Sequence, residues 1–229
     1  RHYFDADDAA LRTRITAHFP NQRYGIADTD QAEEHYLIYV GGDRTRGAYW
    51  FYDAQTDEAT PMAELAPWIK AEDMNEMHAI KYTSRDGLTI EAYLTLPNGL
   101  SINEAHQLPV VINPHGGPWA RDCWGYSSEV QFLANRGYAV FQMNFRGSTG
   151  YGRSFLEASY KQWGLKMQDD ITDGVNWLIE QGIADKDSVA IYGGSYGGYA
   201  VLSGLTLTPE VYACGMVYVG VSSLFSCLK

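Results

Sequence analysis

Ser195 lies in the stretch Ile191-Tyr192-Gly193-Gly194-Ser195-Tyr196-Gly197-Gly198-Tyr199, after the apolar run Val189-Ala190-Ile191 and before an apolar stretch that reaches Leu207. This order of strand, glycine-flanked serine and helix is typical of a nucleophile elbow. Glycine neighbours leave room for the tight turn, which forces the serine into a strained backbone conformation. The stretch predicts a serine hydroxyl that projects from the end of a sheet, at a helix start that favours negative charge.

A second glycine-rich turn follows an earlier apolar strand. The run Leu108 to Asn113 reads as that strand, and His115-Gly116-Gly117-Pro118 follows it, where lipases and esterases carry an HGGG-type loop. Glycine is needed there because a backbone N–H has to approach the substrate oxyanion closely. Each motif alone is also compatible with a plain turn. Together, in this order, they predict a serine hydrolase with the backbone N–H groups of Tyr196 and Gly117 as its oxyanion hole.

The segments between the two motifs alternate between helical and strand-like patterns. A helix is predicted from Ser128 to Asn135, a buried strand from Tyr138 to Met143, an amphipathic helix through Ile171, Val175, Leu178 and Ile179, and a last strand from Cys214 to Val221. Such alternation predicts an α/β fold, a mostly parallel sheet with helices on both faces.

Four motifs together resemble one known family. They are His115-Gly116-Gly117-Pro118, Asn144-Phe145-Arg146-Gly147-Ser148-Thr149-Gly150-Tyr151-Gly152, Asp170-Ile171-Thr172-Asp173-Gly174-Val175 and Gly193-Gly194-Ser195-Tyr196-Gly197-Gly198. From about Ile80 onward the chain resembles the prolyl oligopeptidase family of serine peptidases, in its acylaminoacyl-peptidase-like branch. The resemblance implies an α/β-hydrolase domain joined to a β-propeller that restricts access to short peptides. It also places Leu224 and Phe225 near the pocket for the residue preceding the cleaved bond; ordinary core packing is the alternative.

The first third of the chain has a different pattern. Two aromatic, β-prone runs, Tyr36 to Val40 and Ala48 to Asp53, flank a turn-rich segment and resemble the end of a propeller blade. A single blade depends on its neighbours to bury its faces. We therefore predict that residues 1–76 are the end of a β-propeller, with a crossover formed by Pro61, Pro67 and the acidic stretch Glu72-Asp73. Residues 77–229 are predicted to begin an α/β-hydrolase domain. That domain would open with a hairpin turned at Asp86-Gly87.

Composition indicates which partners to expect. The 229 residues carry 17 basic and 28 acidic side chains, a net charge of −11, which argues against a nucleic-acid partner. No apolar run reaches the ~20 residues of a membrane span. Cys123, Cys214 and Cys227 lack the spacing of metal ligands. The expected partner is a peptide substrate, and no metal, cofactor or membrane partner is expected. A homo-oligomer is a further expectation for the full-length protein.

The partners of a catalytic serine are missing downstream of Ser195. In α/β-hydrolases the acid and the histidine follow the serine, yet residues 196–229 contain no histidine, no aspartate and one acid, Glu210. All six histidines precede Ser195, and His115 belongs to the oxyanion loop, where it is also a candidate for substrate contact. We interpret the chain as one that stops before the acid and base arrive, and we expect the 229 residues alone to hydrolyse peptides poorly.

Three functions remain open at this point. The first is a serine peptidase that cleaves short or N-acylated peptides through an acyl-enzyme on Ser195; the second is a carboxylesterase; the third is a catalytically inactive interaction fragment. Arg146 could anchor a substrate carboxylate, but a structural ion pair is the favoured interpretation. Glu33-Glu34 could bind a peptide N-terminus, but a solvated strand edge is favoured.

Overall fold

The computed structural model describes residues 4–97 and 99–227, which form two compact units. One unit takes the residues up to 74 together with residues 125–127, and the other takes residues 75–124 and those from 128 onward. The division into domains at residues 76 and 77 stays a prediction. Within the described ranges, no helix is long and apolar enough to cross a membrane.

The first unit consists of one helix and a four-stranded antiparallel sheet. The elements are α1 (Ala6–His18), β1 (Arg23–Thr29), β2 (His35–Gly41), β3 (Ala48–Asp53) and β4 (Glu58–Glu64), and the strands pair in the order β1-β2-β3-β4. This meander is the form of one propeller blade, as the sequence predicted. The two predicted runs are its inner strands, β2 and β3.

Helix α1 covers one face of this sheet, which the sequence analysis did not anticipate. Alternate residues of β2 are buried, because successive side chains of a strand point to opposite faces. The buried residues of β2 pack with Tyr52 of β3, with Ile15 of the helix and with Phe19 just after it into a single cluster that includes Tyr36, Ile38 and Val40. One face of the blade is therefore buried by the chain itself.

Pro61 lies inside β4 rather than in a crossover, so this part of the prediction was wrong. Among the described strands β4 pairs with β3 alone, and the register shifts between Tyr49 and Trp50, opposite the proline. Proline has no N–H to donate and is tolerated at the free side of an edge strand or at such an irregularity.

The second unit contains a six-stranded mixed sheet. Its strands are β5 (Met77–Thr83), β6 (Thr89–Thr95), β7 (Leu108–Ile112), β8 (Ala139–Asn144), β9 (Ala184–Gly194) and β10 (Cys214–Tyr218), in the order β10-β9-β7-β8-β6-β5. Strands β7 to β10 are parallel, whereas β6 runs antiparallel to β8 and β5 antiparallel to β6. This is the sheet of a partial α/β-hydrolase fold, which confirms the predicted fold class.

The connections between these strands contain α2 (Ser128–Ala134), α3 (Arg153–Glu157), α4 (Lys166–Glu180) and α5 (Tyr196–Leu207), and α6 (Leu224–Cys227) follows β10. The apolar stripe of α4 is fully buried in the core, through Ile171, Val175 and Leu178. Burial of each such side chain stabilises the fold by roughly 1.5–3 kcal/mol. Because β7 is paired in parallel with β8 and with β9, the carboxyl ends of these three strands lie side by side along one edge of the sheet. The two glycine-rich motifs begin at this edge.

Candidate active site

Ser195 occupies a sharp turn between β9, which ends at Gly194, and α5, which begins at Tyr196. Its backbone has φ 54° and ψ −118°, a positive φ that non-glycine residues rarely adopt. The turn is held by a hydrogen bond from the Ser195 N–H to the Tyr218 carbonyl at 3.1 Å. The side chain is exposed. This strained, accessible serine has the geometry of a nucleophile elbow.

The glycines around Ser195 are required by close backbone approach. A Cβ placed on Gly193 would lie 2.6 Å from the carbonyl carbon of Gly197, and a Cβ on Gly197 would overlap the carbonyl oxygen of Pro114. Any larger residue at either position would push the strand end away from the helix start or from the loop after β7. The pattern of small residues around the serine therefore reflects packing of three backbone segments.

The HGGP loop, His115-Gly116-Gly117-Pro118, lies directly against the elbow. A Cβ placed on Gly116 would be 3.4 Å from the Ser195 Cβ. Gly117 is exposed and has φ +122°, which favours glycine. The N–H of Tyr196 belongs to the first turn of α5, where backbone donors have no partner within the helix. The two predicted oxyanion donors thus belong to segments that meet at Ser195.

Both ring nitrogens of His115 have partners within the chain. Nδ1 lies 2.7 Å from the Gly116 carbonyl oxygen, and because a carbonyl only accepts, Nδ1 carries the hydrogen. Nε2 therefore has no hydrogen and lies 2.8 Å from the Ser148 hydroxyl, whose single hydrogen is shared between Nε2 and the Phe145 carbonyl at 2.7 Å. Burial lowers the pKa of His115, so the ring is neutral near pH 7.

Ser148 was not singled out by the sequence analysis. It is fully buried, in the loop that follows β8, and it reaches the HGGP loop because β7 and β8 are adjacent parallel strands. The available signal was its motif, Arg146-Gly147-Ser148-Thr149-Gly150-Tyr151-Gly152, called here the RGSTGYG loop. We recognised the motif without assigning a role to its serine.

Arg146 forms a structural ion pair, as favoured from the sequence. Its guanidinium donates to Asp170 (Nη2 to Oδ1, 2.7 Å) and to Asp86 (Nη1 to Oδ2, 2.8 Å), and the Asp170 side chain is fully buried. Burial raises the pKa of Asp170, whereas hydrogen bonds from Arg146 hold the pKa of Asp86 well below its usual range. The pair fixes the β8 end to α4 and to the β5–β6 turn.

Leu224 and Phe225 lie in the short helix α6. Their side chains are 45% and 86% exposed, and neither belongs to a hydrophobic cluster of the described residues. The preceding segment is tied to the elbow by a hydrogen bond from the Val221 N–H to the Ser195 carbonyl at 3.4 Å. A role in substrate binding stays a prediction for these two residues.

No histidine or acid is paired with the serine among the described residues. The Ser195 hydroxyl has no hydrogen-bond partner in residues 4–97 and 99–227, and Glu210, the sole acid after it, lies in a turn at Pro209–Val211. The same ranges contain no cluster of His, Cys, Asp and Glu suited to a metal ion. The site therefore consists of the Ser195 hydroxyl and the backbone N–H groups close to it.

A strained serine between a parallel strand and a helix, with a glycine-rich loop against it, defines the class: an α/β-hydrolase domain of the serine type. Residues 124–227 match the model of the prolyl oligopeptidase family. The chain is 45% identical to the dipeptidyl aminopeptidase BIII of Pseudoxanthomonas mexicana over 79% of its own length and 27% of that protein. The chain belongs to the prolyl oligopeptidase family.

Solved structures agree with this assignment. A puromycin-hydrolysing peptidase of Mycobacterium tuberculosis superposes with a TM-score of 0.74 at 28% identity, covering 84% of this chain and 30% of that chain. An acylaminoacyl peptidase of Pyrococcus horikoshii gives 0.71 at 25% identity, covering 87% of this chain and 32% of that one. The chain thus spans about a third or less of the proteins it matches.

Proposed function

We propose that this chain carries the nucleophile and the oxyanion hole of a serine peptidase, and that Ser195 forms the acyl-enzyme. The observation that carries the proposal is the strained, exposed Ser195 with the HGGP loop packed against it. In the proposed reaction the Ser195 hydroxyl attacks the peptide carbonyl and the amine leaves. Water then releases the acyl group.

The oxyanion of each tetrahedral intermediate is held by the N–H groups of Tyr196 and Gly117. His115 positions the second donor, because the Gly116 carbonyl and the Gly117 N–H belong to one peptide plane and point in opposite directions. The hydrogen bond from His115 Nδ1 to that carbonyl at 2.7 Å therefore fixes the direction of the Gly117 N–H. A preorganised donor of this kind stabilises the transition state without reorganisation.

Activation of Ser195 needs a base that residues 196–229 do not contain, because they include neither histidine nor aspartate. A peptidase of the proposed kind needs an acid and a histidine in addition to the groups that the described residues bring to Ser195. Without them, catalysis falls to the residual level of the oxyanion hole and binding, roughly 10³ to 10⁴ over water. The inactive interaction fragment is the competing proposal.

The substrates we propose are short peptides, with a free or an acylated N-terminus. A dipeptidyl aminopeptidase and an acylaminoacyl peptidase are both among the relatives, and their names imply opposite requirements at the substrate N-terminus. Paired dipeptide p-nitroanilides, one free and one N-acetylated, separate these two possibilities. A carboxylesterase would instead favour a p-nitrophenyl ester over both.

The test is fluorophosphonate labelling of the intact protein that carries these residues, with peptide mapping of the label. We expect labelling at Ser195, its loss in Ser195→Ala, and its retention in Ser222→Ala, a control at a nearby exposed serine. Peptide hydrolysis should fall by several orders of magnitude in Ser195→Ala while the melting temperature is unchanged. Activity that survives this substitution would place the nucleophile elsewhere.

A further inference from the structure

Arg121 follows the HGGP loop by three residues, and its contacts are neutral groups, including the Tyr151 ring, whose centre lies 4.6 Å from the guanidinium carbon. Its Nε donates to the Asp122 carbonyl at 3.2 Å, and its Nη2 donates to the Tyr151 hydroxyl at 2.9 Å. In the described part of the chain no carboxylate forms an ion pair with it, whereas half-exposed Arg85 and buried Arg146 each pair with two. A half-buried arginine whose charge is not compensated by contact favours an anionic ligand.

The Tyr151 hydroxyl has a hydrogen left to donate. The Asn144 amide is oriented by Asp122, whose N–H donates to Oδ1 at 2.8 Å and whose carbonyl accepts from Nδ2 at 3.1 Å. Nδ2 also donates to the Tyr151 oxygen at 2.8 Å, and Arg121 donates to the same oxygen. Both lone pairs are thereby filled, and no acceptor for the phenol hydrogen occurs among the described residues. Burial raises the pKa of Tyr151, which keeps that hydrogen in place.

The backbone segments that carry both side chains adjoin the HGGP loop. A Cβ placed on Gly117 would be 3.1 Å from the Ala120 Cβ, so the segment leading to Arg121 folds back along the HGGP loop. The Thr149 N–H donates to the Ala120 carbonyl at 2.9 Å and joins this segment to the RGSTGYG loop. Arg121 follows Gly117 by four residues, and a peptide covers about 3.3–3.6 Å per residue, so their Cα atoms are at most about 14 Å apart, the length of a few substrate residues.

From these contacts we infer that Arg121 and Tyr151 form a subsite for the C-terminal carboxylate of a short peptide. The inference rests on the peptidase function proposed above and narrows its substrates. A guanidinium and a phenol that can only donate recognise a carboxylate better than an amide. A carboxylate lies on the leaving-group side of the cleaved bond. The subsite therefore selects peptides with about one to three residues after that bond.

The test compares matched peptides in the intact protein. Each pair shares one sequence with two residues after the cleaved bond and ends in a free acid or an amide. We expect kcat/KM to favour the acid by about 10- to 100-fold, the range for a charged hydrogen bond. Arg121→Gln should abolish the preference, and Tyr151→Phe should reduce it. Arg153→Gln, at a side chain that is 88% exposed, is the control and should leave it unchanged.

Two further measurements separate this inference from the proposed function. Calorimetric binding of both peptides to the Ser195→Ala protein tests the subsite without chemistry, and a loss of acid preference there in Arg121→Gln supports it. If Arg121→Gln weakens acid and amide equally, Arg121 only braces the loops and the inference fails. If neither peptide is hydrolysed by a Ser195-dependent route, the proposed function fails, whatever the binding shows. A peptide with eight residues after the bond should show no preference.

Discussion

Replacing Asp122 with asparagine should stabilise the chain at alkaline pH but not at acidic pH. The Asp122 Oδ2 is enclosed and has no hydrogen-bond partner among the described residues. Burial raises the pKa of this carboxyl from 3.8 to about 7, although Arg121 and Gln142 both act to lower it. The folded state therefore holds the proton more tightly than the unfolded state does.

The sign and size of the effect follow from this difference. A carboxyl with a raised pKa lowers stability as the pH rises from about 4 to about 7, because only the unfolded chain ionises freely in that range. The full cost above pH 7 is roughly 4 kcal/mol, at about 1.36 kcal/mol for each pKa unit. Between pH 5 and pH 8 the advantage of Asp122→Asn should grow by about 2–3 kcal/mol.

Urea unfolding at pH 5, 6, 7 and 8, monitored by tryptophan fluorescence, measures this change. The readout is how the difference in the free energy of unfolding between variant and wild type changes with pH. A constant penalty from the amide does not affect this change. Asp187→Asn is the matched control, because its side chain is 77% exposed, and its difference should stay flat. An Asp122→Asn difference that is also flat from pH 5 to pH 8 would refute the reasoning.

Three other substitutions test the packing of the site. Gly197→Ala should destabilise the chain by roughly 1–3 kcal/mol because its Cβ meets the Pro114 backbone, whereas Gly25→Ala, with nothing within 4 Å, should stay within about 0.5 kcal/mol by urea unfolding. Arg146→Met should cost about 3–5 kcal/mol in the same assay, because a buried carboxylate is left unpaired. In the intact protein, His115→Ala should lower kcat about 10- to 100-fold with a small change in KM, by misdirecting one oxyanion donor. Equal kcat values for wild type and variant would contradict that role.

The elbow, the HGGP loop and the β5–β6 hairpin could be predicted because each depends on a local requirement. At the hairpin, Gly87 has φ +89° and donates to the Ser84 carbonyl at 2.8 Å, as a turn at Asp86-Gly87 requires. At the elbow, glycines mark the positions where backbones touch. Steric requirements of the backbone at these positions can be inferred from the residue types alone.

Helix α1 and strand β4 could not be predicted by the same reasoning. Ile15 is the single fully buried residue within α1, so the helix sequence has only a weak apolar periodicity. The position of the helix depends on the sheet that it covers. In β4 a proline argued for a loop, but an edge strand accepts it. The contact between Arg121 and Tyr151 could not be predicted for a related reason. The two residues are 30 positions apart, and only the pairing of β7 with β8 brings them together.

That pairing also explains why the HGGP and RGSTGYG motifs occur together. Among the described residues, three hydrogen bonds join the RGSTGYG loop to the HGGP loop and the segment after it: His115 Nε2 with Ser148 Oγ at 2.8 Å, Thr149 N–H to the Ala120 carbonyl at 2.9 Å, and Arg121 Nη2 to the Tyr151 hydroxyl at 2.9 Å. A loop with two adjacent glycines has unusual backbone freedom, yet an oxyanion donor has to be held in one direction. The loop after β8 restrains the HGGP backbone from the end of a neighbouring strand. None of these three bonds involves Ser195. Under the proposed function, we therefore expect changes in the RGSTGYG loop to act on the rate of acyl transfer through the HGGP backbone.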